Sequence, residues 1–312
     1  MKELPERPTL WLKPPGDTPL HTEASRFLHP WYPEHKRLTQ SGWLESTQTQ
    51  WQQIVYFGGR HKEENRSLVR ACRSRLSDDG LLYFVLPNEY GGKSVQKSLV
   101  DPECLVKEQV GRKSRLLVMS PLRKSDREAA FFNYRQNSHS FQSIPGLFSW
   151  DKPDRGSAIL GQALAQQNFS GPVADLGSGW GYLGCQLPSN LELHNIEADL
   201  RGLKAAERNI DRPNSHYHWA DATDPSSGAL KNLLGSMRTV ITNPPFHTGK
   251  KAEPVLGGAF VAVGHKLLKT RGQLFLVGNS HLPYKRIMQA FFPEVEEIVR
   301  QDGFTVLRGH RS

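Results

Sequence analysis

Apolar positions change their rhythm twice along the chain, and each change marks a different kind of structure. Gln53–Phe57 and Leu81–Leu86 are short runs rich in β-branched and aromatic residues, the pattern of strands buried on both faces. Between them, Lys62–Leu76 places Val69, Cys72 and Leu76 on one helical face. Gly92–Val100 predicts another helix and Arg115–Met119 a further strand. The first fifty residues hold seven prolines and four Trp or Tyr residues (Trp11, Trp31, Tyr32, Trp43) without a sustained period, and read as extended packing.

The second half is more regular. After a loop over 145–156 and a helix at Ser157–Gln167, strands at Val173–Asp175, Leu191–Glu197 and Thr239–Thr242 alternate with helices at Tyr182–Leu187, Leu200–Ile210 and Val255–Leu268. Strand, helix, strand is the order of a parallel sheet covered on both faces. Gln273–Val277, a helix at Tyr284–Phe292, then Glu297–Arg300 and Phe304–Arg308 add an antiparallel end.

The halves repeat one another. GLLYFVLPNEYGGKSVQKSL from Gly80 aligns with GQLFLVGNSHLPYKRIMQAF from Gly272, and in this register YFGGRHK stands where the second half has TNPPFHTGK. With 312 residues, above the roughly 100–200 usual for one domain, this predicts two α/β domains, 1–143 and 144–312.

Composition narrows the class. Hydrophobic residues make up 37% and charged residues 23%, enough apolar content to exclude wholesale disorder. Residues 1–20 carry Lys2, Glu3, Glu6 and Arg7 among prolines, unlike a secretory leader. Leu81–Leu86 is far shorter than the roughly 20 residues that span a bilayer. Cys72, Cys104 and Cys185 form no Cys-x-x-Cys pair, so a cytoplasmic protein without a disulfide framework is expected. The net charge of +9 divides into +6 over residues 1–145 and +3 over the rest, so the first half is the more attractive to phosphate. Lys62, Arg66, Arg70 and Arg73 would form one stripe on their helix, either a solvated face or a phosphate-binding one.

VADLGSGWGYLG, Val173–Gly184, joins a strand ending at Asp175 to a helix through Gly177, Gly179 and Gly181. Glycines there let backbone N–H groups approach a ligand, although dinucleotide-binding enzymes and ordinary tight turns use similar loops. Glu197 lies twenty residues beyond Gly177, at the end of the next strand, where an acid can accept from a ribose diol; Asp199 is the alternative. Asp221, after another strand, could accept from an adenine amine or serve as a turn residue. The decisive segment is Asn243-Pro244-Pro245-Phe246, 66 residues beyond Gly177. Two prolines after a strand fix the backbone, so the Asn243 side-chain oxygen and Pro244 carbonyl can accept from one exocyclic NH₂. That directs the nitrogen lone pair toward an electrophilic methyl group, with Phe246 stacked on the base. His216 and His218 alternate on a strand without a nearby cysteine, and no metal is expected.

These motifs, with IPGLFSWDKPDRGS (Ile144–Ser157), NSHLPY (Asn279–Tyr284) and FTVLRG near the end, resemble the ribosomal RNA small-subunit methyltransferase C family, a group of guanine-N2 methyltransferases. The resemblance covers nearly all of residues 144–309. It implies two tandem Rossmann-like methyltransferase domains, the N-terminal one degenerate and the C-terminal one catalytic; the first half's larger charge surplus and its lack of the Asn-Pro-Pro-Phe turn make RNA docking its expected role. It also implies S-adenosyl-L-methionine as donor, held by Asp154, Gly156, Asp175, Gly177, Gly179, Glu197 and Asp221, with Asn243–Phe246 holding the guanine amine. The expected partner is ribosomal RNA or a ribosomal subunit, met by a monomer, with no membrane involved. The sequence departs from the family at IEADL, which offers both Glu197 and Asp199 as the ribose ligand, and at ADATD, which is closer to the general methyltransferase pattern. Rival readings are adenine-N6 methylation, glutamine-N5 methylation of a protein, and a non-catalytic RNA-binding factor. Phe246 rather than Tyr, and the duplicated basic half, favour RNA over the protein amide.

Overall fold

The computed structural model describes residues 8–14, 25–40, 44–45, 50–95, 102–122, 132–136, 139–245, 247–248, 251–252 and 254–312. The chain divides into two compact units, 1–132 with 144–146, and 133–143 with 147–312. Residues 133–143, placed by the sequence in the first domain, group with the second unit, and 144–146 group with the first.

The first unit contains β1 (Thr9–Leu12), β2 (Ser25–Leu28), α1 (Tyr32–Gln40), β3 (Leu44–Glu45), β4 (Trp51–Phe57), α2 (Lys62–Ser74), β5 (Leu76–Pro87), β6 (Leu105–Val110) and β7 (Ser114–Met119). Its sheet runs β3-β2-β1-β4-β5-β7-β6. Pairing is parallel from β3 to β5 and antiparallel through β7 and β6. Three strands and a helix therefore occupy the opening segment that sequence periodicity leaves without regular structure. Two- to four-residue strands are too short to show a period, and those buried on both faces do not alternate. Leu10 and Trp11, adjacent in sequence, pack into opposite cores, one with Ile54, Tyr56 and Phe84, the other with Phe27, Leu38 and Val55. Of the helix expected over Gly92–Val100, Gly92–Ser94 form a 3₁₀ turn following Gly91, whose φ is +93°, and Val95 is helical, while residues 96–100 lie outside the described residues.

A short hairpin, β8 (Phe132–Gln136) and β9 (His139–Ser143), precedes the second sheet. The second unit continues with α3 (Arg155–Leu164), β10 (Val173–Leu176), α4 (Tyr182–Gln186), β11 (Leu193–Glu197), α5 (Leu200–Asn209), β12 (Ser215–Trp219) and β13 (Met237–Thr242). A second small hairpin, β14 (His247–Thr248) with β15 (Lys251–Ala252), leads into α6 (Pro254–Leu267), β16 (Leu268–Asn279), α7 (Tyr284–Gln289), β17 (Glu294–Gln301) and β18 (Phe304–His310). The sheet order, β12-β11-β10-β13-β16-β18-β17, has the same topology as the first, with the last two strands antiparallel. Two apolar layers cover its faces, one around Leu176, Val240 and Leu274, the other around Val173, Ile241 and Phe275. No helix among the described residues is long and apolar enough to cross a membrane.

Strand pairing fixes the repeat residue by residue. Leu12 pairs with Tyr56 in the first sheet as Leu176 pairs with Thr242 in the second. The next residues are therefore equivalent: Lys13 corresponds to Gly177 and Phe57 to Asn243, the register in which the sequences align. Lys13 N donates to Leu28 O at 2.9 Å, as Gly177 N donates to Ile196 O at 2.9 Å, and both residues have positive φ, +52° and +76°. In the first unit, however, the Lys13 ammonium reaches Glu64 at 2.6 Å. Asn65 pins the loop after β4 by bonds with Tyr56 and Gly59. A side-chain pair thus fills the strand end that the second unit leaves to glycine. Lys13→Met should destabilise the first unit by about 2–3 kcal/mol in denaturant unfolding, below the ~3–5 kcal/mol of a fully buried pair because Lys13 keeps some exposure.

Candidate active site

Parallel pairing of β10 with β11 and β13 brings three strand ends to one edge of the second sheet. Thr242 Oγ1 donates to Leu176 O at 2.8 Å and ties two of those ends together. Beyond Leu176 the chain turns through Gly177, Gly179 and Gly181, at φ +76°, +54° and +88°. At Gly181 a Cβ would stand 3.0 Å from Ala206 Cα, so glycine there permits α4 to pack on α5. At Gly179 a Cβ would meet no protein atom within 4 Å. That position faces an open cleft lined by residues of the glycine loop with Phe148, Ser149, Asp154, Ser157 and Asn243.

The two acids proposed for the second strand end have separate tasks. Glu197 accepts from Gly179 N through Oε2 and from Asp199 N through Oε1, both at 2.8 Å. Asp199 is the N-cap of α5, accepting from Arg201 N at 3.0 Å and pairing with the Arg201 guanidinium at 2.6 Å. Glu197 therefore belongs to the glycine loop and Asp199 to the helix start. Asp175 lies beneath the loop, fully buried, with neither carboxylate oxygen hydrogen-bonded. Burial, reinforced by the nearby Glu197 charge, pushes its pKa up to about 8. Burial likewise raises Glu197 to about 7, against the lowering effect of its backbone hydrogen bonds.

Asn243 follows β13 directly. Its Nδ2 donates to Asp154 Oδ2 and to Ser157 Oγ, each at 2.8 Å. A carboxylate can only accept, so the atom facing Asp154 must be the amide NH₂, and Oδ1 is the atom left to accept. Asp154 is also the N-cap of α3, taking Ser157 N at 2.9 Å. One carboxylate oxygen thus starts a helix and sets the rotamer of a residue 89 positions away. Pro244 is buried and Pro245 exposed. Phe246 lies outside the described residues.

The remaining expected residues are placed differently. Gly156 is buried at the start of α3, where a Cβ would come within 3.0 Å of both the Asp154 carboxylate and the Phe304 ring, so close packing accounts for it. Asp221 closes a turn, accepting from Thr223 N at 2.9 Å and Thr223 Oγ1 at 2.6 Å. Neither lines the cleft. Sequence reasoning missed Ser157, the second anchor of Asn243, and Trp180, whose Nε1 donates to Ser149 O at 3.1 Å. Asp154-x-x-Ser157 is legible as a helix start, but its link to Asn243 is not.

Comparison with known proteins places this geometry. A model of the methyltransferase small domain matches residues 138–308, more than half of the chain. The chain belongs to the methyltransferase small domain family. Among its relatives, the ribosomal RNA small subunit methyltransferase C of Yersinia pseudotuberculosis serotype IB (strain PB1/+) is 26% identical over 257 residues, 81% of this chain and 73% of the relative. That of Marinomonas sp. (strain MWYL1) is 25% identical over 296 residues, 90% and 83% of the two chains. The T. thermophilus 16S rRNA N2 G1207 methyltransferase, solved in complex with AdoMet and guanosine, shares the fold at a TM-score of 0.79, with 21% identity over 97% of this chain and 88% of that one. The small-domain match contains the cleft, the glycine loop and Asn243.

The raised acids of this small domain give a pH signature. A carboxyl whose folded pKa lies above its unfolded value contributes stability that is full below the unfolded value and is lost as pH rises through the folded one. For Asp175 and Glu197 that window runs from about pH 4 to about 8. Asp175→Asn cannot ionise. Thermal unfolding of this variant from pH 5 to 8 should show a smaller loss of Tm with rising pH than the parent.

Proposed function

We propose that the second unit transfers a methyl group from S-adenosyl-L-methionine to the exocyclic N2 amine of a guanine in ribosomal RNA, acting as a monomer in the cytoplasm. The fixed amide of Asn243 carries this reading. With both amide hydrogens donated to Asp154 and Ser157, Oδ1 is held as an acceptor, and the Pro244 carbonyl follows on a backbone that proline stiffens. Two acceptors on one NH₂ hold the nitrogen with its lone pair turned out of the acceptor plane. The names of the curated relatives, and the AdoMet and guanosine bound by the T. thermophilus protein, support this donor and this base.

The residues fit the donor. Gly179 leaves room on the cleft side, Asp175 has two buried oxygens without partners, and Glu197 sits against the loop. When bound, S-adenosyl-L-methionine supplies a methyl group made electrophilic by its sulfonium. Glu197 would accept from the ribose hydroxyls through the lone pairs its two backbone bonds leave over, and Asp199 is already engaged by Arg201. Asp221 would take the adenine amine from its turn. Gly177 and Gly179 would border the methionine portion, with Asp154 and Gly156 at the start of α3 beside it. Phe246 would stack on the base, and Phe148, exposed at the cleft, offers a second ring. Catalysis is then positioning and exclusion of water around an amine that needs no strong base.

Mass spectrometry of nucleosides from ribosomal RNA treated with the purified protein tests the reading, with N2-methylguanosine as the expected product; N6-methyladenosine or no modified base would reject it. Asn243→Ala should keep donor affinity in calorimetry while turnover falls about 100-fold or more, as for a misplaced reacting group. Asp154→Asn can present either amide face to Asn243 and should lose about 10- to 100-fold, the worth of one charge-assisted hydrogen bond. Normal turnover in Asn243→Ala would sink the mechanism.

The first unit is proposed to dock RNA. Lys62, Arg66 and Arg70 are exposed along α2, whereas Arg73 donates to Ser120 O and Pro121 O and belongs to the unit's own structure. In the triple variant Lys62→Gln, Arg66→Gln, Arg70→Gln, the salt slope of RNA binding should shrink by about 1 for each phosphate that these side chains neutralise in the parent. Donor affinity should stay as in the parent. An unchanged slope excludes α2 as the docking face.

A further inference from the structure

At the outer edge of the second sheet, four side chains form a cluster that methyl transfer does not use. His194 on β11 and His216 on the edge strand β12 are register partners, so they share a sheet face, and His218 lies two residues further on that face. Glu192 precedes His194 by two residues, and its carbonyl accepts from Val173 N at 2.9 Å, which fixes its backbone against β10. Glu192 Oε1 is 3.1 Å from His194 Nε2 and 3.7 Å from His216 Nε2. The His194 ring stacks on both neighbours, with centroids 4.7 Å from His216 and 5.3 Å from His218.

We propose that Glu192, His194 and His216 bind a divalent transition-metal ion of the Zn²⁺ type and thereby clamp the edge strand β12 to β11. The three ligand atoms lie within 4.8 Å of one another. Bonds of about 2.0–2.1 Å in a tetrahedral shell put neighbouring ligand atoms about 3.3 Å apart, and the two measured separations bracket that value. Two imidazoles and a carboxylate are a borderline donor set suited to such an ion. Glu192 and His216, both about half exposed, leave the fourth position to solvent.

His218 completes the arrangement from behind. Its Nε2 is 3.0 Å from His194 Nδ1, so His194 can donate Nδ1–H to it and keep the Nε2 lone pair for the metal, the usual device for orienting a ligating histidine. The alternative occupant of the cluster is a proton network, with His194 Nε2–H donated to Glu192.

Zn²⁺ titration of untagged, chelator-stripped protein distinguishes the two. One equivalent should bind with a rise in Tm, and His216→Ala, a substitution at a half-exposed site, should abolish stoichiometric binding. His218→Phe should weaken affinity about 10- to 100-fold, as loss of an outer partner does. X-ray absorption at the zinc edge should show only nitrogen and oxygen neighbours. No stoichiometric Zn²⁺ in the parent, unchanged affinity in His216→Ala, or a sulfur neighbour such as Cys185 would each overturn the proposal.

Discussion

Parallel pairing of β10 on both sides is the constraint from which the candidate site follows. A central strand whose neighbours run in its own direction delivers their carboxyl ends to one edge, where chain segments far apart in sequence must turn together. Gly177, Glu197 and Asn243 each stand at or just past such an end. The Asp154–Asn243 hydrogen bond then adds the start of α3 to the same edge. Without that pairing the glycine loop would be an ordinary turn and the proline pair an ordinary loop.

The two sheets show what separates a fold from a site. Both have the same strand order, and even the register irregularities entering β5 and β16 correspond, between Trp51 and Gln53 in one and between Met237 and Thr239 in the other. Keeping the sheet did not keep the strand ends. Lys13 holds a left-handed conformation that glycine would adopt more easily, restrained by Leu28 O and the pair with Glu64. Phe57 replaces the amide that the second unit aims with two hydrogen bonds. Stability in the first unit comes from filling the region that chemistry in the second needs accessible.

Much of this was legible in the chain because the signals are local. The second half's alternation of strand and helix, the glycine loop, the Asn-Pro-Pro turn and the repeat between halves all lie within windows of a few to twenty residues, and strand pairing reproduces the alignment of Tyr56–Gly59 with Thr242–Pro245. The opening strands were not legible. Four-residue strands carry no period, and their burial on both faces is a property of the sheet they join.

What tertiary structure decided is which of several chemically equivalent groups does which task. Sequence offered Glu197 and Asp199 for one role; helix capping and Arg201 claim Asp199 and leave Glu197 on the loop. Sequence named Asp154 and Asn243 separately, and only folding across 89 residues makes one carboxylate orient the other's amide. Four residues in a basic stripe looked alike, yet the carbonyls of Ser120 and Pro121 take Arg73. Residue type and spacing determine what a side chain is able to do, because they set charge, donors and local backbone. Whether it does so depends on partners supplied by distant segments, and only the packed sheet brings those within hydrogen-bonding range.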